Sequence, residues 1–459
     1  MIIPQDVLAV LNALESAGFE AFLVGGCVRD MLLGFAPQDY DICTNANPAQ
    51  MRTAFSGFPV YETGLKHGTL TVGSGAMLVE VTTYRIDGDY SDNRRPDSVK
   101  FTGELKEDLA RRDFTINALA CDKNGAVLDF FGGKTALANK VVACVGNAGL
   151  RFEEDSLRIL RGLRFSAVFG FAIESETAAA MRSKKHLLNN VSAERIREEI
   201  TKLLCGKAVR NVLQGFSDIL FEALPELRAM PGFAQNHPYH EFDVWEHTIK
   251  VVENAPPVAI LRWAALLHDS GKPHCYTEEG GCGHFYGHPQ ISTEIADAIL
   301  TRLKFDNKTK DKILLLVKQH DNQLLPDSAF IKRRLNQIGE DNLRDLLLLI
   351  RADTAGHSKL CREKRLKKAE DFEAELNRVI ESQPCFTFKQ LAVNGIDLID
   401  IGYASGKEIG AALTFLLEAV MDGKCNNRKA ELLQYLDEAG KKIQLMQPLV
   451  SNSGRKITP

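Results

Sequence analysis

Asp39 and Asp41 flank one tyrosine, a short way downstream of the glycine pair in Val24-Gly25-Gly26-Cys27-Val28-Arg29-Asp30. On an extended segment residues two apart share a face, so both carboxylates are presented together. Paired hard oxygens suit Mg²⁺ bridging to the phosphates of a nucleotide. A Gly-Gly turn opening a helix lets backbone N–H groups approach a triphosphate closely. These parts together describe nucleotidyl transfer, with two metals clamping an in-line displacement at phosphorus. An isolated Asp-x-Asp is more often a surface acidic pair beside an ordinary turn, so the decision rests on what lies downstream.

Two further runs carry polar residues at helical spacing. Asp108 to Asn117 reads as the opening of a helix, in which Arg112 neutralises phosphate while Asp113 and Asn117, one turn apart, hold a ribose or order the turn. In Arg151-Phe152-Glu153-Glu154-Asp155-Ser156-Leu157-Arg158, helical spacing makes Glu154 and Asp155 neighbours of Arg158. The plain alternative there is a helix ion pair worth a few tenths of a kcal/mol. A separate series comprises Trp245-Glu246-His247, His268-Asp269 at the end of the apolar helix 260–267, then His288, His320 and Asp353. A lone His-Asp pair usually closes a helix end, whereas an ordered series can bring imidazoles and carboxylates from several helices to one metal.

The elements that must position these residues form two regimes. A helix over 4–17, a buried strand over 21–24 and a helix from the glycines to Leu33 are followed by strand-like runs at 39–42, 70–72, 77–84, 99–102 and 127–130. From Arg151 helical periods dominate, at 155–168, 175–183, 193–204, 258–267, 309–318 and 341–350. The expected fold is α+β: a mixed-sheet head over 1–145, a helical neck over 146–205, a helical body over 206–360 and a helical tail over 361–459. The terminal stretch 451–459 reads as frayed.

A chain of 459 residues exceeds one compact core, and 45% apolar with 25% charged residues is ordinary globular usage. No apolar run approaches membrane-spanning length and no signal peptide is evident, so the cytoplasm is the expected compartment. Ten scattered cysteines without a C-x-x-C pair indicate neither a disulfide framework nor a zinc finger. The irregular Cys275, Cys282, His284 set is read as loop. A net charge of −4 disfavours indiscriminate polyanion binding. Local basic groups remain: Arg158, Arg161 and Arg164 at three-residue steps, Lys332-Arg333-Arg334, and the crowd from Lys359 to Lys368. Each alone is ordinarily a solvated helix face; together they permit a nucleic-acid track.

Over residues 20–205 the chain resembles the class II tRNA nucleotidyltransferases, the CCA-adding enzymes of the polymerase-β-like superfamily. Gly25-Gly26-x-Val28-Arg29-Asp30 with Asp39-x-Asp41 looks like the family's first motif. Arg85-x-Asp87-Gly88-x-Tyr90-x-Asp92-x-Arg94-Arg95-Pro96 is similar to its flexible loop, Asp108 to Asn117 to its third motif, and Glu154-Asp155-x-x-Arg158 to its nucleotide-reading motif. Ser192-Ala193-Glu194-Arg195-Ile196 resembles its supporting helix. The resemblance implies a polymerase-β-like head, Mg²⁺ on Asp39 and Asp41, CTP and ATP as substrates, and tRNA as acceptor. It assigns triphosphate contacts to Gly26, Arg29 and Arg112, base reading to Asp155 and Arg158 with Glu154 beside them, and triphosphate or acceptor-end contacts to Arg161 and Arg164. A poly(A) polymerase or an A-only enzyme shares the head, and from another class an HD hydrolase or RNA-binding protein with an inactive head is the alternative. The histidine series looks like an HD phosphohydrolase domain, with a second divalent transition metal on His247, His268, Asp269 and Asp353 and accessory roles for His288 and His320. The basic segments near Lys332 and Lys359 are expected to grip tRNA.

Overall fold

The computed structural model describes residues 2–88, 98–382, 384–404 and 406–446. The chain forms two compact units, Met1–Lys318 and Gln319–Pro459. Most of the loop expected over 85–96, including Tyr90, Asp92, Arg94, Arg95 and Pro96, lies outside the described residues, as does the terminal 451–459 stretch.

After the opening helix Gln5–Ser16, the head of the first unit carries nine short strands with helices between them: β1 (Ala21–Val24), β2 (Tyr40–Thr44), β3 (Val60–Gly64), β4 (Thr69–Ser74), β5 (Met77–Thr83), β6 (Arg85–Asp87), β7 (Val99–Phe101), β8 (Leu119–Cys121) and β9 (Val127–Asp129). Seven of them make one mixed sheet in the order β3-β4-β5-β2-β1-β8-β9. Within this sheet β2 and β5 are the parallel pair, from Tyr40 opposite Val79 to Thr44 opposite Thr83, and its other neighbours run antiparallel. The alternating burial of β4 is the period-2 pattern of a sheet with one covered face. β6 and β7 form a separate hairpin ladder at the base of the 85–96 segment.

Among the head elements that escaped the sequence reading are β3, β8 and the helices Pro48–Ala54 and Gly133–Ala138. β8 is three wholly buried residues, too short and too uniformly apolar to show a period. The helix Pro48–Ala54 begins with a reciprocal capping box between Asn47 and Gln50, a local signal present in the sequence.

Two expected helices are corrected. Asp108 to Asn117 is no continuous helix: Leu105–Ala110 is helical, the chain then turns and bends through Asp113 to an extended Phe114, and Thr115–Asn117 makes one 3₁₀ turn. Asp113 Oδ1 accepts from the Phe114 N–H at 2.8 Å, the local competition by which aspartate interrupts helices. The helix expected to begin at Asp155 runs Leu157–Phe169, while Glu154 ends the preceding helix Ala148–Glu154. Asp155 itself is extended (φ −138°, ψ 100°), and its Oδ1 accepts from the Leu157 N–H at 3.1 Å.

Helices complete the first unit. Ala193–Leu204 packs against Ala259–Leu267, where buried Trp263 donates to Thr201 Oγ1 at 2.9 Å. The stretch containing Cys282 and His284, read as loop, is an antiparallel hairpin of Thr277–Glu279 with Cys282–His284. The second unit is helical, including Ser328–Ile338, Glu340–Ala355 and Lys359–Glu381, with a separate apolar cluster around Leu398, Leu416 and Leu432. No helix among the described residues is long and apolar enough to cross a membrane.

Candidate active site

β2 carries Asp41, and Asp39 immediately precedes it. The parallel register sets Asp41 opposite Glu80 on β5, and paired residues share a face of the sheet. A third carboxylate therefore joins the expected two. Sequence reading missed Glu80 because only the register brings it there; its polar position within an alternating strand was the available hint. Asp41 is open to solvent on one side, yet desolvation by the surrounding chain pushes its carboxyl up from its usual range; Arg112 opposes this, and Glu80 and Asp39 add like-charge repulsion. Among the described residues neither Asp39 nor Asp41 enters an ion pair. Crowded, solvent-facing carboxylate oxygens without a fixed counter-charge fit a hard divalent cation such as Mg²⁺.

β1 ends at Val24 and is followed by Gly25, whose φ of 76° is open to glycine at little cost. A Cβ there would lie 2.5 Å from Arg112 Nη1. The short helix Gly26–Leu32 follows and carries Arg29. The Arg29 guanidinium donates to Asn117 Oδ1 at 2.6 Å and lies 5.2 Å and 4.8 Å from the centres of Phe165 and Phe169. Arginine, rather than lysine, offers both the planar fork and the stacking face.

These groups open into one pocket of about 500 Å³. Seven arginines (Arg29, Arg111, Arg112, Arg158, Arg161, Arg164 and Arg195) face three aspartates there, so an anionic ligand is favoured. Gly26, Asp41, Asp113, Asn117 and Asp155 also line it. The expected residues Gly26, Arg29, Arg112, Asp113, Asn117, Asp155, Arg158, Arg161 and Arg164 are thus brought together, while Glu154 stands just behind.

The polar groups are held by one another. Arg161 pairs with Asp113 at 2.6 Å, and Asn117 Nδ2 donates to Asp113 Oδ1 at 2.9 Å. Burial alone would raise the Asp113 carboxyl, but Arg161 and Asn117 hold it at about 2, so it is ionised at neutral pH. Its charge is spent on fixing Arg161. Arg164 pairs with Glu199 at 2.9 Å and stacks on Phe165.

The anticipated Asp155–Arg158 helix pair does not form. Arg158 pairs with Glu154 at 2.6 Å and donates to the Arg111 carbonyl at 3.0 Å, whereas Asp155 is held by Arg195 at 2.9 Å. Because Asp155 is extended, its partner comes from the neighbouring helix Ala193–Leu204. Both side chains still reach the same pocket.

A second polar cluster lies elsewhere in the first unit. The ligand-type atoms of buried His247, His268 and Asp269 fall within 4.8 Å of one another. Asp269 Oδ2 is 3.3 Å from His247 Nε2 and 3.2 Å from His268 Nε2, and its Oδ1 is 3.3 Å from His288 Nε2. The Nδ1 atoms of His268 and His288 face the carbonyls of Ala265 and Phe285 at 2.8 Å and 2.9 Å, leaving each Nε2 turned to the cluster. Lys272 Nζ sits 2.7 Å from Asp269 Oδ2. Against the cost of burial, His268 and Lys272 hold the Asp269 carboxyl well below its usual range. Four of the six expected residues thus converge within this unit. His320 and Asp353 belong to the second unit, where Asp353 is buried and bonds Arg365 at 2.7 Å.

On the helix Lys359–Glu381, Lys359, Lys364, Lys367 and Lys368 are exposed, while Arg362 is bound to the His357 carbonyl and Arg365 to Asp353. Arg333 is engaged by Asp422.

Residues 21–143 match the family model of the poly A polymerase head domain, 170–230 a model described as the probable RNA and SrmB-binding site of polymerase A, and 284–436 that of tRNA nucleotidyltransferase domain 2. A CCA-adding enzyme of Listeria monocytogenes is 33% identical over 433 residues, covering 94% of this chain and 97% of its own. One of Levilactobacillus brevis is 34% identical over 424 residues, 92% and 95% of the two chains. The crystal structure of the Bacillus stearothermophilus CCA-adding enzyme in complex with CTP superposes over 97% of this chain and 100% of its own, with TM-score 0.71 and 28% identity. The fold is shared also with the Thermotoga maritima CCA-adding enzyme complexed with tRNA, at TM-score 0.61 and 21% identity. A carboxylate-edged, arginine-lined pocket on this sheet, with full-length likeness to such proteins, means that the chain belongs to the CCA-adding enzyme family of tRNA nucleotidyltransferases.

Proposed function

We propose that this pocket adds C, C and A in turn to the 3′ ends of tRNA, taking CMP from CTP and AMP from ATP. The observation that carries the reading is the arrival of Asp155 and Arg158 in the same pocket as Asp41. Cytosine and adenine each place an amino donor beside a ring-nitrogen acceptor on the pairing edge, and uracil and guanine reverse that order. The Asp155 carboxylate accepts from the amine and the Arg158 guanidinium donates to the ring nitrogen, so side chains take the place of a template base. Uracil or guanine would set donor against donor and acceptor against acceptor.

Asp39 and Asp41 would hold Mg²⁺. Bound as a pair, such ions supply activation of the tRNA 3′-hydroxyl and charge neutralisation on the triphosphate. The backbone at Gly26 and the side chains of Arg29 and Arg112 bind the triphosphate; Arg161 and Arg164 extend the positive wall toward it or the acceptor end. In this division residues 1–145 do the chemistry, 146–205 read the base, and 206–360 with 361–459 hold the tRNA, partly through the exposed lysines between 359 and 368. The ten free cysteines fit a reducing compartment such as the cytoplasm. Incubation of tRNA trimmed before its CCA end with labelled CTP and ATP tests the reading. Two C and one A are expected; A alone, or a long A tract, would favour the A-only or poly(A) alternatives.

A second reading is supported by the convergence around Asp269. We infer an HD phosphohydrolase site there. Neutral imidazoles combined with a carboxylate favour Ni²⁺, Mn²⁺ or Co²⁺ over Mg²⁺, and the carbonyl partners of His268 and His288 fix the tautomers that such ligation needs. The purified protein should then hydrolyse 2′,3′-cyclic nucleotides or terminal phosphates when those metals are added. His268→Ala combined with Asp269→Ala should remove that turnover and spare CCA addition. Equal turnover by the double variant across a metal panel would reduce this cluster to a structural role.

A further inference from the structure

Beside the buried His247–His268–Asp269 cluster runs a file of rings that neither reading above uses. It starts at Tyr286, 68% exposed, which stacks on His284 with centres 5.3 Å apart and planes at 4°. His284 is followed by His237 at 6.2 Å, His237 by His240 at 6.0 Å, and His240 by buried His247 at 5.6 Å. The rings therefore form a continuous line from solvent to the cluster.

The line is built rather than incidental. The hairpin strand Cys282–His284 is tied to the 235–240 segment by the Gly283 N–H donating to the Asn236 carbonyl at 2.9 Å. The approach is so close that a Cβ on Gly283 would collide with the Gln235 carbonyl. Asn236 takes a left-handed backbone, φ 48°, and its side chain donates to Tyr276 Oη at 2.9 Å. Asparagine takes this left-handed turn readily, so the segment is held against the hairpin without strain. Burial, with His284 and Lys272 nearby, holds His237 below its usual range, so at neutral pH it offers a neutral ring face.

We propose that this ring file is a stacking track for the last bases of an RNA chain, delivering a phosphate at the RNA end to the His247–His268–Asp269 cluster. Rings accept any base by its π-face, and stacking contributes affinity without sequence choice. A phosphopeptide would instead call for an arginine fork, and no arginine belongs to the file. The proposal deepens the HD reading, on which its hydrolytic part rests: the substrate is a nucleotidic end, not a free phosphomonoester. For a 2′,3′-cyclic end one water is consumed; its oxygen bonds to phosphorus, one ribose P–O bond breaks, and the departing ribose oxygen takes a proton from that water.

The test irradiates the full-length protein, without added metal, with a trinucleotide bearing 4-thiouridine at its 5′ end and a 2′,3′-cyclic phosphate at its 3′ end, and maps the cross-linked peptide. Cross-links within residues 276–290 are expected. Tyr286→Ala should lower their yield by about tenfold, consistent with loss of one stacking partner, while Tyr286→Phe keeps it. CCA addition by both variants should stay at the wild-type rate, which verifies folding. In a parallel metal-supplemented assay, Tyr286→Ala should lower kcat/KM on the cyclic trinucleotide and leave that on 2′,3′-cyclic CMP, a single nucleotide too short to reach Tyr286, unchanged. Cross-links that avoid this segment, or that ignore Tyr286→Ala, overturn the track even if the cluster hydrolyses phosphate. Tyr286-dependent cross-links without any hydrolysis keep the track and remove the HD reading instead.

Discussion

Asp41→Ala is expected to abolish transfer of both CMP and AMP while leaving tRNA binding nearly unchanged. The carboxylate stands where Asp39, Glu80 and the arginine-lined pocket meet, and Asp41 is the member that also lines that pocket. Removal of one group that stabilises charge in a transition state costs about 10²–10³-fold in rate. A metal ligand should reach at least the upper end, because its loss also removes the ion. Transfer of both nucleotides falls together, since one pocket serves both. Binding of tRNA rests on phosphate contacts spread over many residues, so one lost carboxylate barely alters it. Rapid-quench incorporation and filter binding, run on Asp39→Ala, Asp41→Ala and the pair, separate the two quantities. Appreciable transfer by the pair would defeat the metal assignment.

Asp155→Ala and Arg158→Ala are expected to act on choice more than on chemistry. Each bidentate-type base contact supplies about 1–3 kcal/mol of discrimination, so preference for CTP and ATP over UTP and GTP should shrink by roughly tenfold to a hundredfold. The ion pairs seen here sharpen the expectation. Asp155 is oriented by Arg195 and Arg158 by Glu154, so Arg195→Ala and Glu154→Ala should produce smaller losses in the same direction. Single-turnover incorporation with each nucleotide alone reads this out. Unchanged discrimination in Asp155→Ala and Arg158→Ala would leave these residues as scaffolding for the helices on either side.

The strand that carries Asp41 was legible because three kinds of local signal coincide around it: a glycine turn, a two-residue carboxylate repeat and a buried apolar strand ahead of them. Helix Ala193–Leu204 was legible to the residue, its apolar face recurring at helical spacing. What stayed hidden depends on register and on chain reversals. Glu80 joins the site only through a parallel pairing between strands separated by β3 and β4. Asp113 and Asp155 each break a helix that spacing alone would continue, because their side chains bond the backbone just ahead. The pairing of Asp155 with Arg195 spans forty residues and has no local trace. The ring file owes its form to a hairpin that the scattered Cys275, Cys282 and His284 disguised as loop.

One pocket, read by protein side chains, should serve both C and A addition. Equilibrium displacement of labelled CTP from the protein tests it most directly. ATP should displace all of the bound CTP competitively, at one site per chain, and UTP and GTP should displace it far more weakly. Simultaneous binding of CTP and ATP, or displacement by all four nucleotides alike, would contradict the account.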